Sequence, residues 1–287
     1  KTPIDAITCD GLGGLCEVAS KSTLFYAGVV CILTFFMVPL AWLISTSFKN
    51  SRDAFAIPPK WIFEPTLDNY GNVFDRSDFF AALGNSVFIS LVSTLLCLCF
   101  AAVTSYALAY FHFPKKSKIM TFILSSRVAP PILMLLPVYF ISVQIGATDS
   151  YAVLIFMYML MNLPFAVLML VTYFEDIPGE IREAAFVDGC SETRTFFRVI
   201  LPLARGGLAA TFILSLVLAW NEFLIGLVMT GKETQTLPVL VTSFMTFQGT
   251  EWGPLSAAGT FIMVPMLVFG LFVQKHLVKG MTMGAVK

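Results

Sequence analysis

Six apolar stretches, each long enough to cross a lipid bilayer, recur along the chain and leave few folds open to it. A membrane-spanning helix needs about 20 mostly apolar residues. The first stretch runs near Leu24–Thr46 and the second lies within Ala81–Phe111, both free of Asp, Glu, Lys and Arg. The third, near Ile119–Ile145, is interrupted by Arg127 and by Pro130, Pro131 and Pro137. The fourth covers Tyr151–Phe174. The fifth, Gly207–Thr230, holds one acid, Glu222, and the sixth is near Leu255–Val273. Runs of this length predict helices, because the strands of a membrane barrel are about ten residues long and alternate polar with apolar. The expected fold is an all-α integral membrane protein with six transmembrane helices. The first run begins after residue 21, is too long for the core of a secretory leader and has no small-residue cleavage pattern behind it.

Charge supports this reading. Only 13% of the 287 residues are charged, against about 25% in soluble domains, too few to cover a soluble surface of that size. Most soluble globular enzymes, disordered chains and small disulfide scaffolds are thereby excluded. The formal net charge is zero, which gives no electrostatic case for nucleic-acid binding. Lys and Arg mark the cytoplasmic side of membrane proteins. Lys115, Lys116 and Lys118 lie between stretches two and three, and Arg182, Arg194, Arg198 and Arg205 between four and five. With Lys1, Lys21, Lys275, Lys279 and Lys287 these make twelve on one side. Lys49, Arg52, Lys60, Arg76 and Lys232 make five on the other. Both termini are therefore expected in the cytoplasm. Cys31, Cys97 and Cys99 read as small packing residues. Cys9 and Cys16 have no second pair or nearby His to make a metal site.

Motifs of catalysis are missing: the sequence has no P-loop, no H-E-x-x-H, no G-x-S-x-G and no dinucleotide fingerprint. One connection stands apart. The segment Glu175–Gly206 carries both signs of charge and reads as two short helices. The first follows Pro178 and ends at Asp188-Gly189, where glycine supplies a turn. Ser191 is placed to cap the second, which runs to Leu201-Pro202. The Ala184-Ala185 pair leaves a flat patch that another surface can approach, and Phe186, Val187, Phe196 and Phe197 need cover. The residues by themselves admit either a solvated amphipathic hairpin or a docking element.

The run Glu183-Ala184-Ala185-x3-Gly189-x9-Val199-x-Leu201-Pro202 resembles the EAA loop of ABC importer permeases, with Val199 where the family prefers Ile. Further stretches resemble the smaller permease subunit of the maltose-type carbohydrate branch. They are Pro58-Pro59-Lys60-Trp61, Thr66-Leu67-Asp68-Asn69-Tyr70, Trp220-Asn221-Glu222-Phe223, Thr236-Leu237-Pro238-Val239, Trp252-Gly253 and the tail from Phe272 to Lys287. The resemblance covers the chain from about residue 24 onward and implies the type I importer permease fold. Residues 1–21 are read as an N-terminal cytoplasmic segment and 22–287 as the transmembrane domain, with 175–206 as its coupling loop.

The resemblance also implies an ATP-driven carbohydrate importer in a bacterial cytoplasmic (inner) membrane. Its partners would be a second related permease, two ATPase subunits that bind ATP and Mg, an extracytoplasmic solute-binding protein, a sugar and membrane lipid. The chain itself would bind no cofactor. Glu183 would be the acidic contact to the ATPase, with Ala184, Ala185, Asp188, Gly189, Leu201 and Pro202 in the same docking element.

Inside the membrane, Asn162, Trp220, Asn221 and Glu222 are candidates for the solute path. Glu222 has two readings, a wall of the path or an interhelix hydrogen bond. Ser215, Ala219, Glu222 and Gly226 follow a helical spacing and are expected to share one small-residue stripe. Arg127 either snorkels or pairs across a subunit interface, and Asn162 with Pro164 marks a kink or lines the path. In the outer loop, Phe244, Phe247 and Trp252 have the rings to stack on sugar or reach the binding protein, or they form an interfacial belt. The competing classes are an ion-coupled secondary transporter, for which Glu222 is the only deep acid, and a permease for a non-sugar solute.

Overall fold

The computed structural model describes the backbone of residues 7–75, 78–247 and 249–283, and side chains between 25 and 271 within those limits. The side-chain readings on Lys1, Cys9, Cys16, Lys21, Arg76, Lys275, Lys279, Lys287 and the tail motif lie outside the described residues. Helix α1 spans Ile7–Ser47, so the helical backbone of the first span extends back to Ile7. The outer connection that follows folds into two short helices, α2 (Ser51–Ala54) and α3 (Asp68–Asp75). Then come α4 (Phe79–Tyr110), α5 (Lys116–Val128), α6 (Ile132–Gln144) and α7 (Tyr151–Glu175). The charged loop forms α8 (Gly179–Val187) and α9 (Glu192–Leu203), the latter with a π-helical stretch at Phe196–Ile200. The chain continues through α10 (Arg205–Trp220), α11 (Leu224–Met229) and α12 (Leu237–Leu240). A small hairpin of β1 (Met245–Thr246) and β2 (Gly249–Thr250) precedes α13 (Trp252–Met283).

Four of these helices are long and apolar enough to cross a membrane: α4, α7, and the stretches Phe25–Ser47 of α1 and Trp252–Leu271 of α13. Two bent pairs raise the number to as many as six, α5 with α6 at 79° and α9 with α10 at 76°. The bend in the third stretch falls at Ala129–Pro131, where prolines withhold donors and their rings clash with the preceding turn. The fifth stretch departs from expectation. It is not one helix, because α10 stops at Trp220 and α11 starts only at Leu224. Polar side chains take over the backbone partners there. Asn221 Nδ2 donates to the Val217 carbonyl at 2.8 Å, and Glu222 Oε1 accepts from the Ile225 N–H at 3.0 Å. Glu222 therefore sits in a helix break rather than deep in a helix. Ser215, Ala219 and Gly226 are buried as expected, but their stripe is divided at that acid.

The core is built around α4 and α7. Ala101 and Tyr106 of α4 pack with Leu170 and Phe174 of α7 and with Phe196 and Ile200 of α9. Toward the other end, Phe79, Trp220, Leu237, Phe244 and Ala257 form a second cluster. Cys97 is buried in the first cluster, whereas Cys31 and Cys99 face outward, so they do not pack internally. Close approach of α10 to α7 depends on Gly207, where an added Cβ would overlap the inner atoms of the Tyr173 ring. Gly206 has nothing within 4 Å of the same position. Gly207→Ala should cost about 1–3 kcal/mol by overpacking and lower the unfolding temperature of the purified protein, while Gly206→Ala should leave it unchanged. A neutral Gly207→Ala would show that the α7–α10 contact yields without cost.

Candidate functional site

The loop after α7 is built by local sequence signals. Pro178 precedes the first turn of α8, and Glu180 lies in that turn, where an acid suits the helix N-terminus. The helix ends in a Schellman pattern: Gly189 N–H donates to the Phe186 carbonyl at 3.0 Å and Cys190 N–H to the Ala185 carbonyl at 2.9 Å. Gly189 has φ +80°, the left-handed region that favours glycine. Ser191 then caps α9, its hydroxyl accepting from the Arg194 N–H at 3.4 Å.

The two short helices are fastened to each other and to α4. Arg182 Nη2 donates to Glu192 Oε2 at 2.8 Å and Oε1 at 3.0 Å, and its Nε donates to Oε1 at 3.1 Å. The Tyr106 hydroxyl donates to the same Glu192 carboxylate. The guanidinium lies over Phe186, Phe111 and Tyr110, at 4.7, 5.3 and 5.7 Å from the ring centres. Burial alone would raise the Glu192 carboxyl, but the hydrogen bonds from Arg182 and Tyr106 outweigh it and hold the group below its ordinary value. At the same end Lys116 pairs with Glu175 at 2.8 Å, joining the two basic connections. None of Arg182, Glu192 and Tyr106 stands out in the sequence as a functional residue. The signal lies in their pairing across the turn and across 76 residues or more of chain.

Away from the bundle this loop presents Glu183, Ala184, Val187, Asp188 and Gly189, with Val187 88% exposed. Ala185 is buried, so the expected flat pair is split between two faces. Neighbouring residues on a helix point about 100° apart, and Ala185 shares the inward side. Of the four apolar groups that need cover, Phe196 finds it in the core, Phe186 is half-buried, and Val187 and Phe197 stay exposed in the single chain. Pro202 is exposed, and Leu201 packs on the core cluster.

A second set of candidates meets alongside α5 and α7. Arg127, Asn162, Tyr158 and Glu222 line a cavity of about 120 Å³ between α5, α7 and the α10–α11 break. The Arg127 guanidinium donates to the Met161 carbonyl at 3.3 Å, within the turn loosened by Pro164, and lies over Phe165. The Tyr158 hydroxyl donates to the Glu222 carbonyl at 3.2 Å. The Glu222 carboxylate caps its own chain instead of bonding to another helix. Trp220 and Asn221 do not join this cavity. Trp220 is buried, and its indole donates to the Ile262 carbonyl at 3.1 Å, tying α10 to α13. Asn221 reaches Val217 and the Met266 sulfur.

At the opposite end from the charged loop, polar side chains shape the outer surface. Asn85 donates to the carbonyls of Glu233 and Gln235, both at 3.0 Å, and accepts from Tyr151 at 2.7 Å. Asn69 donates to the carbonyls of Ser47 and Lys49 at 2.9 and 2.7 Å. Of the three outer aromatics, Phe244 is fully buried in the core and so offers no surface to a ligand. The aromatic reading fails there because the 3₁₀ turn at Val241–Phe244 folds its last ring inward. Phe247 is fully exposed beyond β1, and Trp252 is part-exposed beside a cavity of about 390 Å³ with Ser51, Asn72, Thr250 and Glu251.

Asp149, missed in the sequence, organises this end. Its carboxylate accepts from the N–H groups of Gly231, Glu233 and Thr234 and from the Thr234 hydroxyl, at 2.6–3.0 Å. Burial would raise the carboxyl, yet these donors hold it below its ordinary 3.8. A group depressed in the folded state stabilises it above the unfolded value, and that contribution is lost as pH falls through the folded value. Protection of the amides at 231–234, taken relative to the intrinsic exchange rate at each pH, should therefore be high at neutral pH and fall below pH 3.8. Asp149→Asn should give low protection at all pH values. Acid-insensitive protection would contradict the assignment.

Against known families, residues 79–283 match the model of the binding-protein-dependent transport system inner membrane component. The chain belongs to that family. The permease is 34% identical over 267 residues to a probable ABC transporter permease protein of Sinorhizobium fredii, covering 92% of this chain and 94% of the relative. It is 33% identical to the diacetylchitobiose uptake system permease protein of Streptomyces coelicolor, over 87% and 91% of the two chains. Its fold matches a chain of a bacterial ABC transporter involved in the import of the acidic polysaccharide alginate, with a TM-score of 0.71 at 18% identity, covering 93% and 97%. The permease is thus a multi-pass inner-membrane transport component and not an ATPase.

Proposed function

We propose that this permease forms half of the translocation pathway of an ATP-driven carbohydrate importer and couples to an ATPase through α8 and α9. The second half is a related permease subunit. Two ATPase subunits supply ATP and Mg²⁺ chemistry on the cytoplasmic face, and an extracytoplasmic binding protein delivers the sugar. The carbohydrate class is supported by relatives such as the diacetylchitobiose permease.

The observation that carries the reading is the division of labour in the loop. Arg182, Ala185 and Phe196 fix it to the bundle, while Glu183, Ala184, Val187 and Asp188 face outward. The exposed Val187, with Glu183 and Asp188 beside it, gives the loop an outward face that a partner would cover. Glu183, Asp188 and Gly189 then lie in the ATPase contact, and Leu201-Pro202 lead into the membrane. Within the membrane, Asn162, Glu222 and Arg127 form the polar wall that this subunit gives to the pathway. Outside, the surfaces flanking Phe247 and Trp252 meet the binding protein.

The test is a photo-reactive residue at Val187 in the assembled importer, with one at Asn72 as control. Val187 should cross-link to an ATPase subunit and Asn72 should not. A complex active in transport that gives no such product from Val187 would overturn the docking assignment.

A further inference from the structure

The connection between α1 and α3 contains the run Phe55-Ala56-Ile57-Pro58-Pro59-Lys60-Trp61-Ile62, with no acid and one base. Its apolar side chains are turned outward: Ile57 is 97% exposed, Ile62 94%, and Phe55 and Trp61 are each more than half exposed. Continuous apolar surface of this kind marks a contact with something other than water.

The position of the run says what that is. Trp61 packs edge-on against Trp42 of α1, ring centres 4.8 Å apart, and Pro58, Pro59 and Trp61 share a groove with Val38 and Trp42. Val38 lies nine residues before the end of α1 at Ser47, a depth of about 13 Å along the helix. The run thus folds back beside the lipid-spanning part of α1, whose residues Phe25–Val38 are exposed along their length. Its exposed surface continues that exposed apolar face. The chemistry suits the interface between hydrocarbon and headgroups. Trp and Lys are residues of that layer. Lys60 is drawn out to Asp53 of α2 at 2.6 Å, as a snorkelling cation does. Lys49 lies over the Trp42 ring at 3.7 Å, so its charge meets an aromatic face at the same level. Irregular backbone near lipid is costly because its N–H groups lack partners, and two consecutive prolines remove two of those donors.

We infer that residues 55–62 form an interfacial anchor seated in the outer leaflet beside α1, with lipid rather than protein as its partner. The remainder of the outer connection, around α3, stays in water.

The importer complex, reconstituted in lipid nanodiscs, tests this with nitroxides on genetically encoded residues at Ile57, Ile62 and, as control, Asn72. At 57 and 62 collision with oxygen should exceed collision with a water-soluble nickel chelate several-fold, and at 72 the order should reverse. Dominance of the chelate at 57 and 62 would place the run in water. Exclusion of both probes would mean that another protein covers it. Either result overturns the anchor. Should the labelled chains fail to assemble, bromine-labelled lipid gives the same answer on the native chain. The fluorescence lost in Trp61→Phe should be quenched by shallow brominated lipid and not by iodide, and the opposite pattern rejects the proposal.

Discussion

Replacing Glu183 by alanine should leave the permease inserted and folded yet abolish sugar-stimulated ATP hydrolysis. The side chain is exposed on α8, and no folded contact of the bundle depends on it. Its worth lies in the partner it meets. A charge-assisted hydrogen bond from a carboxylate contributes about 1.5–3 kcal/mol, so its loss should weaken ATPase attachment by roughly ten- to a hundredfold. Recovery of the ATPase subunit on purification and hydrolysis by the reconstituted complex with binding protein and sugar are the readouts. Glu180→Ala is the control, an exposed acid one turn earlier on the same helix. Loss with Glu180→Ala and retention with Glu183→Ala would put the contact on the wrong residue.

A second large effect is expected from the clamp behind that surface. Glu192→Gln weakens the acceptor that holds Arg182 and Tyr106, and Arg182→Met removes the cation stacked on Phe186. Breaking a fully buried pair costs about 3–5 kcal/mol, and Glu192 is only partly covered, so about 1–3 kcal/mol of loop stability should be lost. Amide exchange across 179–203 should rise, and ATP hydrolysis should lose its dependence on sugar before it loses its basal rate. The reversed pair, Arg182→Glu with Glu192→Arg, should recover part of both. Acid should act as the single variant does: the Glu192 carboxyl is depressed in the fold, so its contribution is present above 4.5 and disappears as pH falls through the folded value. Unchanged exchange in both single variants would show that the loop stands without the clamp.

The spans were legible because hydrocarbon demands long uncharged runs, and the paired helices of the loop were legible because Pro178, Gly189 and Ser191 punctuate them. The division of the fifth stretch was not, since a single acid in an apolar run reads equally as a buried helical residue. Only the fold shows Glu222 capping Ile225. Ala185 and Phe244 turned inward for reasons of packing that lie far away in sequence. Asn85 and Asp149 escaped notice, and Asn69 was read only as part of the Thr66–Tyr70 run, because each serves backbone groups of a distant segment, up to 150 residues off in the case of Asn85. Such partners leave no local pattern.

The central claim is that this permease works only with an ATPase docked on α8 and α9. Uptake of labelled sugar into proteoliposomes containing the full importer measures it directly. Uptake should require ATP on the side of the loop and binding protein on the other, and should vanish with Glu183→Ala. Uptake driven by an ion gradient, with the ATPase subunits left out, would contradict it.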